Sequence, residues 1–342
     1  MSLKVVITRD FDHMSEVAAG VVRDRIARTT AARGSFVLGL ATGHSPTGLY
    51  KLLAKAVNGK ELDASKITSF NLDEYVGLPG ENAQARALHR ESYSSFMIRE
   101  LFSLLRTKFS EVNVPWGCLI DQDKLDSELM AYPNDWREQG ADKGKAIVIS
   151  PQAKSEYLRW VRLGILDAYE EKIKRSGGID LHIIGVGGRG HVAFHEAGIP
   201  FAGNRMLLVK LDDNTVANAV ADGHFASAHD SPRYAISMGA DLVCEARCVV
   251  LLASGRRKAE PVAASLAEDP TDAVPISYGQ IGAKRGGELL YVLDREAAAG
   301  VVAARSAIEK RGIVVEDISG RSAAPRVDVS RDPAGSLPES SQ

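Results

Sequence analysis

Two adjacent carboxylates, Asp73 and Glu74, end the apolar run Ile67-Thr68-Ser69-Phe70-Asn71-Leu72 and are followed by Tyr75, Val76 and Gly77. The run reads as a strand, and a strand end in an open α/β sheet faces the crevice where such folds place ligands and proton-transfer groups. A carboxylate there suits general-base chemistry. The competing reading is an acidic helix start, where the macrodipole favours negative charge. Two further strand–turn–helix junctions of the same kind favour the first.

One is Ala41-Thr42-Gly43-His44-Ser45-Pro46-Thr47-Gly48, between a strand over 36–41 and a helical Leu49-Tyr50-Lys51-Leu52-Leu53. A short Gly/Ser/Thr turn before a helix presents backbone N–H groups, hydroxyls and the positive dipole end to an anion. It lacks the Walker lysine and the dinucleotide spacing, so neither ATP nor NAD is expected. The other is Gly185-Val186-Gly187-Gly188-Arg189-Gly190-His191, continued by Val192-Ala193-Phe194-His195-Glu196. Its glycines permit a tight turn close to a ligand, and an imidazole and a carboxylate beside such a turn suit proton transfer near neutral pH. A third segment, Ser254-Gly255-Arg256-Arg257-Lys258, opens a helix with three cations. The macrodipole opposes positive charge there, so an anionic ligand is the expected compensation; a solvated basic patch is the bland alternative.

The elements that must position these groups are legible as near-continuous Val/Ile/Leu runs over 5–8, 36–41, 67–72, 181–186, 206–211, 249–253 and 289–293. Helical patterns over 14–28, 92–105, 156–175 and 258–266 alternate with several of them. The expectation is an α/β fold, a doubly wound and mostly parallel sheet with helices on both faces. One domain is expected over 1–315. The polar stretch 119–155, with Pro133, Pro151, Tyr132 and Trp136, reads as an insertion on the rim, either a lid or a surface excursion. The Ser/Pro/Ala/Asp-rich tail over 322–342 is expected to be disordered.

Bulk composition narrows the class. The 342 residues carry 42 Lys and Arg against 44 Asp and Glu, a net charge of -2, which leaves no electrostatic footprint for nucleic acid. No run approaches the ~20 apolar residues of a membrane helix. The N-terminus reads as a first strand without a signal-peptide pattern, and three cysteines in no metal-like spacing fit a reducing cytoplasm.

Together the junctions resemble the glucosamine-6-phosphate deaminase family, within the larger group that includes 6-phosphogluconolactonases. The resemblance runs over about 35–290 and is carried by Leu38-Gly39-Leu40-Ala41-Thr42-Gly43, the block from Phe70 to Leu78, and His89-Arg90-Glu91-Ser92-Tyr93. It continues through Gly185 to Glu196, Val216-Ala217-Asn218, and Ser254 to Ala259. The Asn-Leu-Asp-Glu-Tyr and Gly-His-Val-Ala-Phe-His-Glu blocks are the specific ones, and lactonases usually differ at both.

The resemblance implies a Rossmann-like cytoplasmic enzyme of the hydrolase class that isomerises and deaminates an amino sugar phosphate, without cofactor or metal. It also implies a homo-oligomer. By position Asp73 would move a proton between C2 and C1, His191 with Glu196 would open the pyranose, and Thr42, Gly43, His44, Ser45 and Lys258 would hold the phosphate. Glu74 and Arg189 complete the expected substrate-binding set.

The chain departs from the family pattern where Arg189 replaces an aspartate that partners the ring-opening histidine, where Ala219 and Val220 replace a phosphate-binding arginine, and where His44 replaces a glycine. These departures leave two readings: a rearranged anion pocket using Arg189, Arg256 or Arg257, or a substrate other than glucosamine 6-phosphate. The second is slightly preferred, with Arg189 gripping the carboxylate of an N-substituted sugar. A lactonase is the main alternative function, and a non-catalytic sugar-phosphate sensor is a weaker one.

Overall fold

The computed structural model describes residues 2–141, 144–221, 223, 225–228 and 230–321; the tail expected to be disordered lies outside them. In chain order the strands among these residues are β1 (Ser2–Ile7), β2 (Phe36–Leu40), β3 (Ile67–Asn71), β4 (Asp73–Val76), β5 (Glu111–Asn113), β6 (Trp136–Gln139) and β7 (Lys145–Ile149). They continue with β8 (Leu181–Ile184), β9 (Met206–Lys210), β10 (Tyr234–Met238), β11 (Cys248–Ala253), β12 (Glu288–Leu293) and β13 (Val314–Asp317).

Eight of them form the expected parallel sheet, in the order β13-β1-β12-β11-β8-β2-β3-β5. Both faces are covered. On one lies helix Phe11–Arg33, whose buried Met14, Val17, Ala18, Val21, Val22 and Ile26 recur at helical spacing and pack with Tyr50 and Leu53 of helix Thr47–Asn58. Each fully buried aliphatic side chain of this stripe contributes about 1.5–3 kcal/mol relative to exposure. The long helix starts where Asp10 accepts from the His13 N–H and stops at Gly34, in the left-handed region at φ 80. The opposite face packs Tyr169, Ile173, Val262, Leu266 and Val301 against Val249, Leu251, Tyr291 and Leu293.

Chain direction fixes where a ligand can sit. From β2 the sheet winds outward through β3 to β5; from β8 it winds the opposite way through β11 to β12. β2 and β8 are neighbours, so the carboxyl ends of these strands flank the crevice at a topological switch point.

A second sheet was not foreseen. It has five antiparallel strands in the order β4-β10-β9-β7-β6. The run over 206–211 is a strand, as expected, but belongs to this sheet rather than to the parallel one. Residues 119–155 supply its β6–β7 hairpin and helix Gln122–Ala131. The two sheets meet at Leu72: its N–H donates to the Leu40 carbonyl of β2 at 3.1 Å, and its carbonyl accepts from Met238 N–H of β10 at 2.8 Å. The helical pattern over 156–175 is continuous but has a π-helical centre at Val161–Asp167. At the chain's far end β13 pairs along β1 and Ile318 is buried, which carries the sheet beyond residue 315.

Candidate active site

Four adjacent strands, β11, β8, β2 and β3, send the turns after their carboxyl ends into one cavity of about 460 Å³. The junctions at 41–46, 72–73, 185–193 and 254–258 all line it, joined by Tyr93. Of the residues singled out from sequence, Thr42, Gly43, His44, Ser45, Asp73, His191 and Lys258 reach the wall, whereas Glu74, Arg189 and Glu196 do not.

Asp73 and Glu74 take opposite directions because successive side chains of a strand alternate. Asp73 lines the cavity at 5% exposure. Burial holds its pKa well above the ordinary carboxylate range, and the neighbouring Glu74 adds to the rise. Glu74 turns inward to the start of helix Tyr93–Glu100. It accepts from the N–H groups of Tyr75, Tyr93 and Ser94, each at 2.9 Å, and from the Ser94 hydroxyl at 3.1 Å. Burial pushes Glu74 up to about 7 against these donors, which favour its ionised form. The acidic-helix-start reading therefore holds for Glu74, but the helix it serves begins at Tyr93.

Tyr93 is the cavity residue that site assignment from sequence missed. Glu74 holds its backbone, and its ring stacks on Phe194 at 5.9 Å and tilts against Tyr75 at 5.1 Å. The usable signal was Ser92, which caps the helix by accepting from Ser95 N–H.

The glycine turn after β8 is shaped around an imidazole. A Cβ on Gly187 would lie 1.8 Å from His191 Nε2, so only glycine allows the ring to rest there. Gly187 N–H donates to the His191 carbonyl at 3.0 Å and closes the turn. Glu196 Oε2, buried, lies 3.4 Å from His191 Nδ1. A carboxylate on that nitrogen selects the tautomer with the proton on Nδ1 and leaves Nε2 as acceptor. Ala193, in the cavity wall, sits at φ 51, a conformation uncommon for a residue with a Cβ. His195 has a different task. Its Nδ1 accepts from Ala240 N–H at 3.1 Å and Nε2 faces the Ile199 carbonyl at 2.9 Å, so both nitrogens are committed to the fold.

Arg189 points elsewhere. Its Nη1 lies 3.0 Å from Oδ2 of the buried Asp212, which ties the glycine turn to the start of helix Asp213–Ala221. The expected contact between Arg189 and a substrate carboxylate has no geometric support, because the guanidinium already serves a carboxylate of the protein.

The glycine turn after β2 is fixed from within. The buried Tyr50 hydroxyl donates to the Ala41 carbonyl at 2.5 Å, and Gly43 adopts φ 89. His44 stacks on Phe11 at 4.7 Å. No side chain caps the start of helix Thr47–Asn58 at Pro46, so the positive end of the helix dipole is left to the cavity. Across from it, burial lowers the pKa of Lys258 and Arg257 lowers it further, as expected for a cation without a counter-charge.

Comparison with known proteins agrees with this geometry. Residues 119–288 match the family described as glucosamine-6-phosphate isomerases/6-phosphogluconolactonase. The glucosamine-6-phosphate deaminase of Clostridium perfringens (strain 13) is 31% identical over 296 residues, covering 86% of this chain and 98% of that protein. Among solved structures, a monomeric glucosamine-6-phosphate deaminase superposes with a TM-score of 0.65 at 25% identity, over 87% of this chain and all of the other. A 6-phosphogluconolactonase from Plasmodium vivax shares the fold at a TM-score of 0.57 and 14% identity, over 91% of this chain and 95% of its own. The chain belongs to the glucosamine-6-phosphate isomerase/6-phosphogluconolactonase family, on its deaminase side.

Proposed function

We propose that the protein converts glucosamine 6-phosphate and water into a ketohexose 6-phosphate and ammonia, a net hydrolysis. The observation that carries this reading is the convergence of three devices in one cavity: a buried carboxyl with a raised pKa, a carboxylate-backed imidazole, and an uncapped helix start facing a lysine. His191, oriented by Glu196, takes the proton from the anomeric hydroxyl through Nε2 and returns it to the ring oxygen, which opens the pyranose. Asp73 as carboxylate then removes the C2 proton of the open aldehyde while O1 gains a proton given up by the substrate ammonium, and Asp73 delivers its proton to C1, leaving a hydroxymethyl at C1 and an iminium at C2. Water adds to that carbon and ammonia departs. The Thr42–Ser45 turn and Lys258 hold the phosphate at the far end of the chain. The engagement of Arg189 with Asp212 supports an unsubstituted amino sugar over one carrying a carboxylate.

The test is incubation with glucosamine 6-phosphate in deuterated water, following ammonia, ketose and label at C1. Release of both products is expected, with deuterium at C1 to the extent that the proton on Asp73 exchanges with solvent before it reaches C1. Hydrolysis of 6-phosphogluconolactone without any ammonia from the amino sugar would overturn the reading in favour of the lactonase.

Two variants probe the parts. Lys258→Ala should raise KM for the phosphorylated sugar with little loss in kcat, because the contact is made in ground and transition states alike; an unchanged KM would remove Lys258 from phosphate binding. Gly187→Ala should act on kcat instead, by about 10²-fold, since the added methyl displaces the imidazole by more than catalysis tolerates. Wild-type turnover in that variant would take His191 out of the mechanism.

A further inference from the structure

Among the described residues lining the cavity, every lysine and arginine comes from one place, Arg256-Arg257-Lys258. None of the three side chains has a hydrogen-bond or ion-pair partner among the described residues. They contrast with the other basic cavity, around Lys174, Arg205 and Arg247, where Glu170, Glu245 and Asp180 neutralise the charge.

The turn that carries the three cations is rigidly held. Gly255 adopts φ 90, and its N–H and the Ser254 hydroxyl both donate to Asp294, at 3.0 and 2.6 Å. Asp294 also accepts from Ala297 N–H at 2.8 Å, so this carboxylate is committed to backbone and hydroxyl donors rather than to the cations. With the Ser254 hydroxyl and Gly255 N–H turned to Asp294, the side chains this turn gives the cavity at 256–258 are all cationic. Arg256 and Arg257 precede helix Ala259–Ala267, where the dipole repels them, and Arg257 adds to the depression of the Lys258 pKa. A dianion between this turn and the uncapped start of helix Thr47–Asn58 would relieve both strains at once. Helix Asp213–Ala221, reading Asp-Asn-Thr-Val-Ala-Asn-Ala-Val-Ala, has no cation to contribute.

Resting on the sugar-phosphate reading above, we infer that Arg256 and Arg257 are the specificity-determining residues for the phosphate. They grip its oxygens with planar forks while the half-buried Lys258 supplies a point charge, and no cation from helix Asp213–Ala221 takes part.

The experiment compares wild type with Arg256→Ala, Arg257→Ala, their double variant, Arg256→Lys/Arg257→Lys and Lys258→Ala. For each, affinity for inorganic phosphate is measured by calorimetry, and kcat and KM are measured on phosphorylated and dephosphorylated glucosamine. Each arginine-to-alanine change should weaken phosphate binding by about tenfold, as removal of one charge-assisted hydrogen bond does, with the kinetic loss in KM rather than kcat. The double variant should lose most of the preference for the phosphorylated sugar, and the lysine pair should restore only part of it. KM of the wild type should rise with salt, and less so in the double variant, because these cations are solvent-facing. If phosphate affinity and KM stay at wild-type values in the double variant but worsen in Lys258→Ala, the two arginines are not the clamp and the sugar-phosphate reading survives. If the wild type neither binds phosphate nor releases ammonia, both fall.

Discussion

Asp73→Asn should lower turnover by about 10²–10⁴-fold, the contribution of a positioned general base, without harm to the fold. The stability side follows from the direction of its pKa. Asp73 is raised above its unfolded value of 3.8 by burial and by Glu74, so the folded chain holds this proton more tightly than the unfolded chain does. Its favourable contribution is complete below the unfolded pKa and is lost as pH rises towards the folded one. Asparagine cannot ionise and escapes that loss. The variant should match wild type in thermal midpoint at acidic pH and exceed it at pH 8, while remaining almost inactive. In the wild type, kcat/KM should climb along an acidic limb well above the ordinary carboxylate range, since the base must be ionised to act. Full activity in the variant, or an acidic limb near 4, would remove Asp73 from proton transfer.

Glu74→Ala should be the most destabilising single change at the site, by about 2–4 kcal/mol, because it strips a buried anion from three backbone N–H groups and a hydroxyl. Glutamine should recover little. One of its two terminal atoms is a donor, and either orientation sets that donor against N–H groups. The second readout is kinetic. Glu74 raises the pKa of Asp73, so loss of its charge should move the acidic limb of kcat/KM to lower pH in whatever fraction of Glu74→Gln folds. A variant with wild-type stability, or an unmoved limb, would reduce Glu74 to a bystander. The linkage sign also works against the wild type at high pH: Glu74 is pushed up to about 7, so its contribution falls as pH rises from the unfolded carboxylate range through that value.

What sequence made legible here divides along physical lines. The strands β2, β8 and β11 are visible because a sheet covered on both faces demands nearly uninterrupted apolar residues. The second sheet was hidden because two of its five strands lack that signature. β6 reads Trp-Arg-Glu-Gln, mostly polar, and β4 is the Asp-Glu-Tyr-Val block that holds the paired carboxylates. Adjacent carboxylates announce a site, but which one faces the ligand depends on strand register, and register is set by pairing with β10 far along the chain. Arg189 is the plainest case. Its sign and place in a glycine turn suggested a ligand, and nothing local reveals that Asp212 would be folded against it. The three cations at 256–258 were readable because they oppose a rule of the helix that carries them.

Leu72 has one further consequence. Its N–H is bonded to the parallel sheet and its carbonyl to the antiparallel one, with Asp73 next in the chain. The turns proposed to hold the phosphate hang from the first sheet, whereas Asp73, the proposed base, begins β4 of the second. The span between them is therefore a property of how two layers stack, and under the proposed function it would gauge the length of sugar between its phosphate and its reacting carbons. No side chain in the cavity needs to touch the middle of the substrate for chain length to be measured. Retuning that length would call for changes in the packing around Leu72 and Met238, away from every group that does chemistry.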